Sequence, residues 1–183
     1  LMVENIGEGD VVIVPSFSFV STAEAPAFLN AKPFFVDVNM DTFNIDVESI
    51  KQAIFLLKKN KMKPKAIITV DLFGQPAEYN SIIEICKNEN ILLIADSAQS
   101  FGAKYKGIES LALGEMSIIS FSTNKNCPIY GTYGAVLTDD DELAERLRLI
   151  RRNGYENRDV ALDIPIIGMN LQPHEDKAAQ VLT

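Results

Sequence analysis

Two ionisable side chains, Lys125 and Asp96, follow apolar stretches of the chain and have complementary chemistry. Lys125 closes the segment 120–125 (SFSTNK), and Asp96 comes directly after the apolar run Ile91–Ala95. A lysine amine can form a Schiff base with an aldehyde, and a carboxylate can keep a pyridine nitrogen protonated, so that the ring accepts electrons. Alone, each residue has a simpler interpretation, as an exposed lysine or as the cap of a turn. As a pair, they predict a site for pyridoxal phosphate.

The elements that must position these groups alternate along the chain. Short β-branched runs are separated by segments with helical periodicity, which predicts an α/β fold with a mostly parallel sheet and three α/β/α layers. The predicted strands are Val11–Val14, Pro33–Val38, Ala66–Val70, Ile91–Ala95, Met116–Phe121 and Gly134–Thr138, and the predicted helices are Thr22–Asn30, Val47–Asn60, Glu78–Asn88 and Asp140–Arg152. We expect Ser21 or Thr22 to cap the first helix and Asp46 to start the second.

Ligands of open α/β sheets bind beyond the carboxyl ends of the strands. Asp96, Lys125 and Phe19 each follow a different predicted strand, so we expect an acid, an amine and an aromatic ring at the same edge of the sheet. Ser120 is interpreted either as a core serine or as a ligand of a phosphate. Gln99 is either a polar turn residue or a donor to the cofactor's ring oxygen. Phe19 is either a core residue or a ring stacked on the cofactor.

The composition narrows the class of protein. Of the 183 residues, 47% are hydrophobic and 23% are charged, as in ordinary globular proteins. The net charge of −8 argues against nucleic acid as the main partner. The 2 cysteines are too few for a disulfide framework, which indicates a reducing cytoplasm, and we expect neither a signal peptide nor a membrane span. The acidic run 139–142 is more typical of a helix N-terminus than of a metal site, so no metal is expected.

Several segments resemble those of the DegT/DnrJ/EryC1/StrS sugar aminotransferases, which are pyridoxal-phosphate enzymes of fold type I. The two most specific matches are 96–103 (DSAQSFGA) and 120–125 (SFSTNK). Further matches lie at the aromatic loop 9–22, at 35–38 with 44–46, at the Gly-x-Pro turn within 72–77, and at the Gly-x-Asn motif 168–170. Their order covers nearly the whole chain, and the order makes the resemblance specific.

The resemblance implies roles for the residues around the cofactor ring. Lys125 would bond to the cofactor aldehyde and carry the proton between the substrate and the cofactor. Asp96 would pair with the pyridine nitrogen, and Gln99 would hydrogen-bond the ring hydroxyl. Ser120 would help to bind the phosphate.

The resemblance also implies packing and assembly. Phe19 and Ala98 would pack on opposite faces of the ring. Asn170 would reach the phosphate of a cofactor in a neighbouring subunit, which implies a homodimer with composite sites.

Residues 1–183 would form part of a large cofactor-binding domain in this family. The family's N-terminal phosphate-loop segment and its small C-terminal domain have no counterpart here, so we expect a fragment that is inactive alone. Three departures stand out: residues 131–134 (GTYG) replace paired glycines, Leu171-Gln172 replaces an aromatic and a basic residue, and Asp71 stands where many members have histidine.

The function implied is transamination of a nucleotide-linked keto sugar with an amino acid, glutamate in the first instance, as donor. Such a reaction belongs to the biosynthesis of amino sugars for cell-surface polysaccharides. Two alternatives stay open. One is a catalytically impaired family member with a regulatory or scaffolding role, and the other is a different fold type I enzyme, such as a lyase acting on amino acids.

Overall fold

The computed structural model describes residues 1–131, 133–155 and 165–172. In this part of the chain one sheet of 6 strands runs in the order β2-β1-β3-β4-β7-β8, beside a separate hairpin of β5 and β6. The strands are β1 (Val11–Pro15), β2 (Lys32–Val36), β3 (Pro64–Val70), β4 (Leu92–Asp96), β5 (Lys104–Tyr105), β6 (Ile108–Glu109), β7 (Met116–Ser120) and β8 (Gly134–Leu137). The helices are α1 (Ser21–Phe28), α2 (Val47–Lys59), α3 (Tyr79–Glu89) and α4 (Asp141–Arg151). The predicted α/β class is confirmed.

In the 6-stranded sheet, β2, β1, β3, β4 and β7 are parallel to one another, and β8 is antiparallel, paired with β7. The central strands are apolar on both sides, and their side chains alternate between two buried clusters. In β1, Ile13 belongs to the cluster that α2 and α3 cover, whereas Val12 belongs to the cluster that α4 covers. Helices therefore pack on both faces of the sheet, which gives the predicted three layers.

The strand order reverses at β1, because the chain moves to one side of it for β2 and to the other side for β3. Such a reversal opens a crevice at the carboxyl ends of the strands, where ligands of this architecture bind. In β3 and β4, Val70 is paired with Asp96, and Asp96 is paired with Ile118 of β7. The register places the ends of these three strands side by side at that edge.

Aspartates start two of the helices as the sequence predicts. Asp46 caps α2 by accepting a hydrogen bond from the Ser49 amide at 2.7 Å, and Asp140 caps α4 by accepting one from the Leu143 amide at 2.9 Å. The expected cap of α1 is wrong. Its N-cap position is Val20, which has helical backbone angles and offers no side-chain acceptor.

The two-residue strands β5 and β6 were not predicted, because they are too short for an alternating pattern. The sequence also indicates an irregular stretch at 153–168, which lies partly outside the described residues, and a helical segment at 178–183, which lies wholly outside them. In the described part of the chain no set of three or more potential metal-ligating side chains converges, and no helix combines the length and apolarity of a membrane span.

Candidate active site

The acid and the amine singled out in the sequence meet at the carboxyl edge of the sheet. Asp96 is the last residue of β4 and is half-buried, and Lys125 is half-buried in the loop that follows β7. Burial raises the pKa of Asp96, while the Ala98 amide and the charge of Lys125 lower it. The two side chains therefore interact through their charges. Among the described residues, no direct ion pair within 4.0 Å joins them.

The loop after β4 brings two more predicted residues to Asp96. The amide of Ala98 donates to Asp96 Oδ1 at 3.1 Å, so this carboxylate is held by its own loop. The side-chain oxygen of Gln99 accepts a hydrogen bond from the amide of Phe73 at 2.8 Å. Since that oxygen is engaged, the NH₂ group of Gln99 is the part that can donate to a ligand.

Ser120 ends β7, the strand next to β4, and lies two residues beyond the partner of Asp96 in the sheet. Its hydroxyl lies 3.1 Å from the Ser122 hydroxyl and accepts the Ser122 amide at 3.3 Å. The Ser122 carbonyl in turn accepts the Lys125 amide at 2.9 Å. A compact turn therefore connects a half-buried hydroxyl to the lysine, at the end of the strand beside Asp96.

Two predicted residues lie apart from this group. Phe19 follows β1 and is 72% exposed, so the core interpretation of this ring is wrong and its face is open to a partner. Asn170 is exposed and forms an isolated β-bridge with Arg152, after α4. The described contacts do not connect Asn170 with Asp96 or Lys125. A role for it in this chain's own site therefore has no support, and its role at a neighbouring subunit stays a prediction.

Asp71 is the residue whose importance the sequence did not reveal. It follows β3 directly, is fully buried, and accepts hydrogen bonds from four donors. Burial raises the pKa of its carboxyl, and these hydrogen bonds oppose the rise. The available signal was a carboxylate after an apolar strand, together with the closely spaced serines 97 and 100 after the next one.

The donor set at this edge fits pyridoxal phosphate. A half-buried amine can bond to its aldehyde, a half-buried carboxylate can hold its ring nitrogen protonated, an oriented amide can reach its ring hydroxyl, and a serine hydroxyl can bind its phosphate. The carboxylate lies on a regular strand and the amine on a loop, and the two interact through their charges. These features of the chain match the chemistry of the cofactor.

The model of the DegT/DnrJ/EryC1/StrS aminotransferase family matches residues 1–183. The chain belongs to this family. Its members are pyridoxal-phosphate-dependent aminotransferases. The family and the fold that the sequence predicts are thereby confirmed.

Individual relatives agree with this assignment. A Pseudomonas aeruginosa protein named UDP-2-acetamido-2-deoxy-3-oxo-D-glucuronate aminotransferase is 43% identical over 157 residues, which is 86% of this chain and 42% of that protein. A Geobacillus stearothermophilus protein named pleiotropic regulatory protein is 42% identical over 154 residues, covering 84% of this chain and 40% of its own length. The crystal structure of a DegT DnrJ EryC1 StrS aminotransferase from Brucella abortus superposes with a TM-score of 0.95 and 41% identity, over 100% of this chain and 48% of that one. The chain thus spans about half the length of the relatives it matches.

Proposed function

We propose that the protein containing this chain transfers an amino group from an amino acid, glutamate, to the keto group of a nucleotide-linked sugar, with pyridoxal phosphate as cofactor. The observation that carries this proposal is the placement of Asp96 at the end of β4 and of Lys125 in the loop after the neighbouring strand β7, at the same carboxyl edge of the sheet. The substrate class is supported by the Pseudomonas aeruginosa relative, whose name describes an aminotransferase for a UDP-linked oxo sugar. The product would be an amino sugar for cell-surface polysaccharides.

Lys125 is proposed as the residue that bonds to the cofactor and moves the proton. The bound cofactor supplies an electron sink for the negative charge that develops on the substrate carbon. Once the amine of the amino-acid donor has displaced it from the cofactor, the free amine of Lys125 would take the proton from that substrate carbon and deliver it to the cofactor carbon on the other side of the transferred nitrogen. Asp96 keeps a proton on the ring nitrogen. Its Oδ1 already accepts the Ala98 amide, so we assign Oδ2 to the ring nitrogen.

The remaining residues bind and orient. The NH₂ group of Gln99 donates to the ring hydroxyl, because the Phe73 amide fixes the side-chain oxygen on the other side. Ser120 donates to the phosphate. Phe19, which is exposed in this chain, and Ala98 would pack on the two faces of the bound ring and exclude water from it, which would strengthen the charge interactions within the site.

We infer further that the protein is a homodimer and acts in the cytoplasm. Asn170 is exposed and apart from the site of its own chain, which suits a residue that reaches a neighbouring subunit's phosphate. The thiols of Cys86 and Cys127 are unpaired, as in proteins of reducing compartments. The net charge of −8 disfavours nucleic acid as a partner, and the phosphates of a nucleotide-linked substrate would have to be bound by local donors.

The test uses the full-length protein that includes residues 1–183. Mixed with pyridoxal phosphate and reduced with borohydride, the unmodified protein should carry the label on Lys125, as peptide mapping would show. Lys125→Ala should lose the label, while Lys104→Ala should keep it, because Lys104 is exposed and pairs with Glu109 at 3.0 Å. A label that persists in Lys125→Ala would overturn the assignment.

A regulatory or scaffolding role is the second candidate, and the name of the Geobacillus stearothermophilus relative favours it. The two are separated by adding glutamate to the cofactor-loaded protein and following the cofactor's absorbance. Conversion of the cofactor to its amine form, followed by its return with an oxo sugar nucleotide, supports the aminotransferase. A protein that binds the cofactor on Lys125 and leaves it unchanged with a panel of amino donors would support the regulatory role. Cleavage of the side chain or of the carboxylate from the added amino acid would instead support a lyase.

A further inference from the structure

The buried carboxylate of Asp71 is surrounded by hydrogen-bond donors. Its Oδ1 accepts the Ala77 amide at 3.1 Å and the Tyr79 hydroxyl at 2.8 Å. Its Oδ2 accepts the hydroxyls of Ser97 at 3.2 Å and Ser100 at 2.8 Å. All of the side-chain partners are themselves buried. Four donors to a single carboxylate form a satisfied network, whose members constrain one another.

Two of these donors belong to the loop that positions the proposed ring-binding acid. Ser97 and Ser100 flank Gln99 and follow Asp96 in the chain, so Asp71 holds both ends of the segment 97–100. The backbone adds a third connection, since the Asp71 amide donates to the Asp96 carbonyl at 3.0 Å. The position of the loop relative to β3 therefore depends on Asp71.

Asp71 also begins the turn that orients Gln99. Its carbonyl accepts the Gly74 amide at 3.1 Å, which closes the turn around Phe73. Phe73 has a φ of 58°, a left-handed conformation that is costly for a side chain of this size. In that conformation its amide donates to the Gln99 side chain. A strained residue held by its surroundings thus makes a specific contact with a residue proposed to bind the cofactor.

We propose that Asp71 is a positioning residue for the cofactor site, which sets the orientation of both Asp96 and Gln99 without contacting the cofactor. The inference rests on the function proposed above. Asp71 acts through the hydroxyls of Ser97 and Ser100 on one side and through the 71–74 turn on the other. Its effect on cofactor binding is separable from its contribution to folding.

Asp71→Asn is the variant that separates the two, because it preserves the shape of the side chain. The amide oxygen can keep the bonds to Ala77 and Tyr79, and the new NH₂ group can donate to the serine hydroxyls. Their displaced protons have acceptors in reach, since Ser97 Oγ lies 3.4 Å from the Ser110 carbonyl and Ser100 Oγ lies 3.0 Å from the Ser110 hydroxyl. The network can therefore re-form with reversed directions and without charge assistance.

The matched control is Asp46→Asn. It removes the same charge from a residue that also accepts an amide hydrogen bond, at 2.7 Å from Ser49, but at the start of α2. Asparagine caps helices as well as aspartate does, so this variant should fold normally.

Three quantities are measured on the full-length protein and its variants: the dissociation constant of pyridoxal phosphate, the unfolding of the cofactor-free protein, and its amide hydrogen exchange. We expect Asp71→Asn to raise the dissociation constant at least about tenfold, as small misplacements of site residues do. Exchange should accelerate selectively in 96–103 and 71–75, and Asp46→Asn should stay within twofold of the unmodified protein. Ser100→Ala, which deletes one donor, should change binding in the same direction by a smaller factor.

The results distinguish the possible failures. An Asp71→Asn protein that binds the cofactor as tightly as the unmodified protein would refute the positioning role, whatever its stability. Faster exchange throughout the protein, without selectivity for these segments, would refute it in favour of a purely structural role. If Asp71→Asn does not fold, Ser100→Ala decides by the same two criteria. If the unmodified protein does not bind the cofactor at all, the proposed function fails, and this inference fails with it.

Discussion

Replacing Tyr79 with phenylalanine removes one hydroxyl from the core and leaves the ring in place. Tyr79 begins α3 and is fully buried. Its hydroxyl lies 2.8 Å from Asp71 Oδ1 and 3.1 Å from Thr69 Oγ1. The substitution changes little apolar surface, so its effect reports the two hydrogen bonds.

The magnitude follows from the charge of the partners. A hydrogen bond to a charged group contributes about 1.5–3 kcal/mol, and one between neutral groups contributes about 0.5–1.5 kcal/mol. Thr69 keeps a weak alternative acceptor in the Ile94 carbonyl at 3.4 Å, and Asp71 Oδ1 keeps the Ala77 amide. We expect Tyr79→Phe to lower the free energy of unfolding by about 2–4 kcal/mol.

The loss should also depend on pH. The Tyr79 hydrogen bond favours the carboxylate form of Asp71 and so lowers its pKa, against the burial that raises it. Without the hydroxyl the pKa of folded Asp71 rises further, and the folded variant binds more protons than the folded unmodified protein between the two values. Stability changes with pH in proportion to the protons bound by the unfolded state minus those bound by the folded state. The difference between the two proteins therefore grows as pH rises through this window and shrinks towards acid.

The assay is equilibrium urea unfolding of the cofactor-free full-length protein, followed by circular dichroism at several pH values. Tyr105→Phe is the matched control. Its hydroxyl donates to the Glu78 carboxylate and accepts the Asn80 amide at 3.3 Å, both at exposed positions, and its ring packs edge-on against Tyr79 with centroids 5.8 Å apart. That variant should lose less than about 1 kcal/mol, as exposed polar contacts do. The reasoning fails if Tyr79→Phe costs no more than Tyr105→Phe, or if its cost is greatest in acid.

Two further predictions concern other parts of the fold. Cys86 is 1% exposed, and burial raises the pKa of its thiol to about 12. A thiol reagent at pH 8 should therefore label Cys127 quickly and Cys86 only on unfolding. Comparable labelling rates at the two cysteines would contradict the described burial. Gly114→Ala should lower the free energy of unfolding by about 1–3 kcal/mol, measured in urea, because the added methyl group would lie 2.6 Å from the Met116 carbonyl. The control is Gly7→Ala, whose methyl group would have its nearest contact at 3.4 Å and which should cost clearly less. Equal losses of stability in the two glycine variants would show that the backbone around Gly114 shifts to accommodate the methyl group.

The sheet could be read from the sequence because its central strands are buried on both faces. Continuous apolar runs such as Val11–Val14 and Ala66–Val70 are typical of buried parallel strands, and their observed bounds differ from prediction by at most two residues. The edge strands show the limit of this signal. Phe35 in β2 is 56% exposed, so apolar character in a run does not by itself show burial.

Only part of the candidate site could be predicted from the sequence. Asp96 and Lys125 could be found because each follows a strand and because their chemistry is complementary. The role of Asp71 could not be found in this way, since its partners Ser97 and Ser100 lie 26 and 29 residues away in sequence. Only the parallel pairing of β3 with β4 brings them together. Likewise the acceptor of the Phe73 amide depends on a left-handed residue that no propensity predicts.

The two ends of the candidate site differ in stiffness. Asp96 belongs to a central strand and accepts the Ala98 amide, and the loop that follows it is bound to Asp71 through the hydroxyls of Ser97 and Ser100. Lys125 is held less firmly, because its described interactions are one backbone hydrogen bond to Ser122 and a charge interaction with Asp96. In the function proposed above, Lys125 would release the cofactor and bond to it again in each catalytic cycle, which requires a mobile side chain. Asp96 would stay paired with the ring nitrogen throughout, and its place at the end of a central strand suits that role.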